Sequence, residues 1–154
     1  GDHRDLHSFP TRRSSDLIKY NKVIIIFNLS ACLAEAGKRV LVIDMDPQGN
    51  TTSGLGIEKD EAENTIYEVI LRTVDIKDAI IKDIFDNLDI IPSNVNLAGA
   101  EIDLIDVDNR EYILKDSLAE VKDNYDHRLM ELLVKHAPAF TVPLDEDAEN
   151  VFMH

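Results

Sequence analysis

The sequence predicts an α/β fold in which helices flank a parallel β-sheet, and three apolar stretches carry that expectation. Residues 22–27 and 39–44 are short β-branched runs without polar alternation, as expected of strands covered on both faces. Residues 88–91, closed by Pro92, form a third and shorter strand candidate. Between the first two runs, Leu29, Cys32, Leu33 and Ala36 recur at helical spacing, with Cys32 as small core packing, and Gly37 stands where a helix C-terminus favours glycine. Strand, helix and strand in that order make a parallel unit with a right-handed crossover, its first strand central.

Downstream the alternation continues. Ile66, Val69 and Ile70 mark a helix that Asn64 or Thr65 can cap. Asp75 opens another, with Ile76, Ala79, Ile80 and Ile84 as its apolar stripe. Residues 97–105 and 112–121 show helical periods separated by the acidic turn at 106–109. From His127 a helical patch (Leu129, Leu132, Leu133) runs into Ala137, Pro138 and an acidic tail.

Composition narrows the function classes. A chain of 154 residues, 44% hydrophobic and 30% charged, has enough apolar content for one domain's core. Its net charge of -14 repels phosphate backbones and argues against a stand-alone nucleic-acid binder. The apolar run at residues 23–27 falls far short of the roughly 20 residues a membrane helix needs. One cysteine rules out an internal disulfide, and the five histidines lack metal-ligand spacing. These features together read as a soluble, cytosolic chain without a membrane partner.

The first seventeen residues differ in character, with no apolar period of either kind. Residues 7–17 resemble an in-frame translation of a sequencing-library adapter and are set aside from the fold. The alternative is an N-terminal arm without fixed structure. Either way their charges cancel, so residues 18–154 carry the whole negative balance.

In an open parallel sheet, ligands sit beyond the carboxyl ends of the strands. Asp44 and Asp46 belong at that edge, at the end of a buried strand, followed by the turn Pro47, Gln48, Gly49 and Asn50. Two such carboxylates can hold Mg²⁺ through water or orient an attacking water in phosphoryl transfer; the bland alternative is a solvated turn. The loop at residues 51–56, with its hydroxyls and glycines, can approach phosphate. A phosphate-cradling G-x-x-x-x-G-K-[ST] loop is missing: Lys38 follows Gly37 but precedes Arg39, and Leu55 stands where Gly49 and Gly54 would require lysine. A dinucleotide site is disfavoured because no G-x-G-x-x-G follows the first strand candidate.

Residues 30–50 (SACLAEAGKRVLVIDMDPQGN), 51–56 (TTSGLG) and 90–101 (IIPSNVNLAGAE) resemble, in order and spacing, the ParA/Soj branch of the ParA/MinD partition ATPases. The resemblance covers residues 22–126. It implies a partial three-layer P-loop NTPase-like fold, truncated, with a parallel sheet flanked by helices. It further implies an ATPase of chromosome or plasmid partitioning that uses ATP and Mg²⁺ and forms a homodimer. That dimer would bind DNA non-specifically at the nucleoid and respond to a centromere-binding partner. By the same resemblance Asp46 matches the residue that positions the lytic water, Asp44 its neighbour at the Mg²⁺ site, and Pro47, Gln48, Gly49 and Asn50 the first switch loop.

Two parts of the family pattern are missing. Its K-G-G-V-G-K-T-type loop is absent, since Phe27 and Asn28 run directly into Leu29 and Ser30, and the apolar strand ending in aspartate is not recognisable after Asp126. Geometry points the same way: six strand residues span about 20 Å, whereas an eight-residue helix returns only about 12 Å. Either the first strand is misplaced or the reading frame departs from an intact ATPase. The expected organisation is therefore residues 1–17 outside the fold, 18–126 a partial ATPase domain without its P-loop, and 127–154 an unassigned tail. As written, the chain is expected neither to bind nor to hydrolyse ATP. The alternative is a P-loop-less, non-catalytic paralogue that docks proteins through the acidic faces at residues 58–63 and 103–108.

Overall fold

In the computed structural model the described residues are 14–131 and 150–153, with side chains described over 24–126. A long helix, α1 (Ser14–Glu35), leads into the strand β1 (Val40–Asp44). Short helices α2 (Asn50–Gly54) and α3 (Ile66–Ile70) follow, then the hairpin of β2 (Ile81–Phe85) and β3 (Leu88–Ile91). Helices α4 (Ala100–Asp103) and α5 (Ile113–Ala119) precede β4 (His127–Glu131) and β5 (Asn150–Met153). The sheet runs β2-β3-β1-β4-β5, with β3, β1, β4 and β5 parallel and β2 antiparallel at one edge.

All five residues of β1 are fully enclosed, which is why its sequence is continuously apolar up to Asp44. Alternation sorts them into two cores. Val40 and Val42 join Leu88 and Ile90 beneath Ile26 and Ala34 of α1. Leu41 and Ile43 face the other way, into a larger cluster with Ile66, Ile70, Ile76, Ile113 and Leu114. The expected three layers, helices on both sides of a central sheet, are present.

Residues 22–27, expected as the first, central strand, lie inside α1, and β1 takes the central place. A short apolar run fits a helix as well as a strand. Here the register of Ile26, Ser30 and Ala34, one residue in four, buries one stripe while Ile24 and Ile25 point to solvent. The shortfall in crossover length disappears, because no strand precedes α1 among the described residues. The stripe is also rotated from expectation: Cys32 and Ala36 are exposed, so Cys32 is not core packing. Gly37 does end the helix, at φ 77°, with the Lys38 and Gly37 N–H groups donating to the Leu33 and Ala34 carbonyls. The helix begins at Ser14, inside the stretch set aside from the fold.

Asp75 caps only a single 3-10 turn, Ile76–Asp78. Ile76 and Ala79 are buried as expected, but Ile84 belongs to β2, because residues 86 and 87 close a two-residue hairpin with Asn87 in the left-handed region. The helical patch expected from His127 is likewise corrected: residues 127–131 form β4, in register with β1 from His127 opposite Val40 to Glu131 opposite Asp44. A central strand with one open edge gains a full ladder of hydrogen bonds from whatever pairs with it, and that tertiary gain overrides local helical periodicity. Expectations for residues 1–13 and 132–149 lie outside the described residues.

Two anchors fix the frame. Arg39 and Asp126 exchange backbone and side-chain bonds at the entry to β1 and β4, and the Arg39 backbone N–H, then its guanidinium, holds the Asp126 carboxyl below the usual range. Thr65 caps α3 in a reciprocal box with Glu68, accepting from Tyr67 N–H while Glu68 Oε2 accepts from Thr65 N–H at 2.8 Å. Thr65→Ala is expected to lower the stability measured by urea unfolding by about 1 kcal/mol, the ordinary worth of an N-cap.

Candidate functional site

The carboxyl end of β1 delivers Asp44 into a fully enclosed position at the edge where ligands bind parallel sheets. Three donors converge on it. Asp46 N–H reaches Oδ1 at 2.9 Å, while the Thr52 N–H and Oγ1 reach Oδ2 at 2.8 and 2.6 Å. Burial raises the Asp44 carboxyl above its ordinary range; the Thr52 hydroxyl and the two backbone N–H groups pull it partly back. Thr52 also accepts the Ser93 N–H at 3.0 Å, which ties the end of β3 to the end of β1. Ser93 is itself buried, and its hydroxyl has no partner among the described residues.

Asp46 stands two residues beyond Asp44 and is also buried. It organises the loop after it: Oδ1 accepts Gln48 N–H at 2.9 Å, Oδ2 accepts Asn50 Nδ2 at 2.7 Å, and its carbonyl accepts Gly49 N–H at 2.7 Å. Each carboxylate oxygen keeps one lone pair for a further donor such as water. Gly49 adopts φ +58°, and a Cβ there would lie 2.6 Å from Lys59 Cδ and 2.9 Å from the Ser93 carbonyl oxygen. The Lys59 ammonium donates to the Gln48 carbonyl. The loop is thus held from within by Asp46 and from above by Lys59.

The structure brings together Asp44, Asp46, Pro47, Gln48, Gly49 and Asn50, all of which the sequence singled out. It places the residue 51–56 hydroxyls differently: residues 50–54 form α2, and Thr51 and Thr52 are buried, with Thr52 bonded to Asp44 rather than offered to a ligand. The inward bonds of Thr52 were not foreseen, and Ser93 and Lys59 were missed. Thr52 and Ser93 lay inside recognised motifs, with nothing in a linear pattern to show that they meet across 41 residues. Lys59 sits in the stretch 58–63, where its four acidic neighbours suggested only a solvated face.

As a metal site the pair is a half-set. Asp46 can take a water on its remaining lone pairs, whereas Asp44 is enclosed and already holds three donors, so it suits an outer position behind a metal-bound water. Among the described residues no three His, Cys, Asp or Glu side chains group as metal ligands. Glu131 ends β4 opposite Asp44 in register, which brings a third acidic residue to the same sheet edge. No described helix is long and apolar enough to cross a membrane.

Residues 21–134 match the family described as AAA domain. The sporulation initiation inhibitor protein Soj of Bacillus subtilis is 50% identical over 104 residues, covering 68% of this chain and 41% of Soj. The chromosome partitioning protein ParA of Myxococcus xanthus is 40% identical over 110 residues, covering 71% of this chain and 39% of ParA. The chain therefore spans about two-fifths of the length of these relatives. Among solved structures, cobyrinic acid a,c-diamide synthase of Mycobacterium smegmatis, with an ATP analogue and magnesium bound, superposes with a TM-score of 0.67 at 35% identity. That match covers 71% of this chain and 44% of the synthase. With its motifs, its sheet and these relatives in agreement, the chain belongs to the AAA-domain family, and within it is similar to Soj and ParA.

Proposed function

We propose that this chain carries the carboxylate side of the nucleotide site of a chromosome- or plasmid-partition ATPase and lacks its phosphate side. Asp46 is the residue that positions the attacking water, Asp44 supports it from behind a Mg²⁺-bound water, and Pro47, Gln48, Gly49 and Asn50 are the first switch loop. One observation carries the reading: both carboxylates stand at the carboxyl end of the central parallel strand, with the Asp46 side chain ordering the loop that follows. ATP would need a lysine and a row of backbone N–H groups around its β- and γ-phosphates, and no G-x-x-x-x-G-K-[ST] pattern stands in the sequence. Positioning and charge stabilisation supply nearly all of phosphoryl-transfer catalysis, so the chain as it stands is inactive. The partners of this reading are a second copy, DNA and a centromere-binding protein, at the nucleoid.

Titration calorimetry of the full chain with Mg²⁺-ATP tests the inactivity: no saturable heat is expected, and a Mg²⁺-dependent affinity of millimolar or tighter overturns it. Replacing residues 1–23 by a strand and K-G-G-V-G-K-T-type loop, which keeps Ile26 and the rest of the buried stripe of α1, tests the family role. That chimera is expected to gain Mg²⁺-dependent ATP binding, and a folded chimera that still binds none sinks the ATPase reading. One observation favours the docking-module alternative, namely that Ile102 and Ile105 are 75% and 68% exposed beside Asp103 and Asp106. The same chimera separates the two, because a docking module has no reason to accept nucleotide.

A further inference from the structure

We infer that Lys59 is a positioning residue for the Asp46 loop, a strap that crosses Gly49 and holds the switch segment in the form that orders the Asp46 carboxylate. After α2 the chain reverses at Gly56, with φ +83°, and is pinned by Ile57 N–H on the Thr52 carbonyl at 3.2 Å. A turn closed by Glu61 N–H on the Glu58 carbonyl then sends Lys59 back over the loop. Its stem lies so close above Gly49 that a Cβ there would stand 2.6 Å from Cδ and 3.2 Å from Cγ. Glu58, Asp60 and Glu61 flank it in sequence, yet among the described residues its ammonium pairs with none of them and donates to the Gln48 carbonyl instead. That choice is informative. Those three carboxylates are exposed, so an ion pair with any one of them gains little, whereas the half-buried Lys59 stem, seated on Gly49, delivers the ammonium to the Gln48 carbonyl.

The stem fits only because residue 49 has no side chain, and the floor beneath it is the Ser93 carbonyl. Lys59, Gly49 and Ser93 therefore form a stack that joins the strap to the end of β3. Beneath the strap, the Gln48 and Gly49 N–H groups both bond Asp46. When the loop opens, those two N–H groups are released and the Asp46 carboxylate loses its fixed orientation. The strap's catalytic meaning rests on the function proposed above; the strap itself does not, since it involves no nucleotide.

Amide hydrogen exchange on the full chain is the test. Lys59→Met keeps the stem and removes the ammonium, and is expected to speed exchange at Gln48 and Gly49 roughly ten- to a hundredfold, the worth of one hydrogen bond to a charged donor, while Val42 and Ile43 stay unchanged. Lys59→Arg, which retains a donor, should restore most of the protection. Ser93→Ala should leave both amides as they are, because the Ser93 backbone rather than its hydroxyl supports the stack. Unaltered exchange at Gln48 and Gly49 in Lys59→Met overturns the strap, as does faster exchange spread equally through β1. Either failure leaves the ATPase reading standing, since that is decided by nucleotide binding to the chimera.

Discussion

Thr52→Val is expected to destabilise the chain by roughly 3–5 kcal/mol in urea unfolding, because it strips a hydroxyl that serves two buried groups at once. Valine keeps the shape and the Thr52 N–H bond to Asp44, so the loss is confined to the two hydroxyl bonds. The Ser93 N–H is left without an acceptor, at a cost of about 1–3 kcal/mol, and the Asp44 carboxylate loses a bond worth about 1.5–3 kcal/mol. Set against an ordinary domain stability of about 5–15 kcal/mol, that is a large fraction.

The loss should also depend on pH, in a direction the burial of Asp44 dictates. Its folded-state carboxyl lies above its ordinary range, and the Thr52 hydroxyl is the strongest influence holding it down. Without that hydroxyl the folded carboxyl rises further, so between the unfolded and folded values the native state binds more protons than the unfolded state. Stability then falls as pH rises through that window. The variant should sit nearest to wild type below the ordinary aspartate range and furthest from it at neutral pH. A pH-independent difference would show that the Asp44 bond is not what valine removes.

Gly49→Ala is the second large effect, with an expected loss of about 2–4 kcal/mol. The left-handed backbone at φ +58° costs a residue with a side chain about 1–2 kcal/mol. Overpacking against the Lys59 stem and the Ser93 carbonyl, the second of which is backbone and cannot swing aside, adds about 1–2 kcal/mol more. Thermal unfolding checks the size, and the pairing of Gly49→Ala with Lys59→Ala checks the origin. Trimming the lysine stem should relieve part of the alanine's penalty, leaving the double variant less destabilised than the two single losses combined.

These effects fall on residues of unequal legibility. β1 and β3 were readable because a strand buried on both faces has little choice but to be apolar throughout, and Gly37 and Thr65 because helix ends have distinct chemical needs. The three isoleucines at 24–26 were not, since a run that short satisfies either period. The decision was made by α1 packing Ile26 on Val40 and Val42 while leaving Ile24 and Ile25 in solvent. β4 was hidden for a different reason: its local pattern is helical, and only the open edge of β1 makes it a strand. In the site, Asp44 and Asp46 announced themselves as acids at a strand end. Thr52 was noticed but assigned to a ligand, because no sequence pattern shows whether a hydroxyl turns outward or inward. Lys59 was masked by its acidic neighbours.

The ladder between β1 and β4 also sets an order of events during synthesis. The bond between Arg39 and Asp126 that opens it joins residues 87 apart. At about 5–20 residues per second, β1 waits roughly 4–17 s after its own emergence before that neighbour exists. The hairpin of β2 and β3 can close alone and offer β1 one partner, but the opposite flank of the most apolar strand stays bare for that interval. The centre of the sheet is therefore completed well after its own strand has been made, and the nascent chain carries an open strand edge throughout that interval.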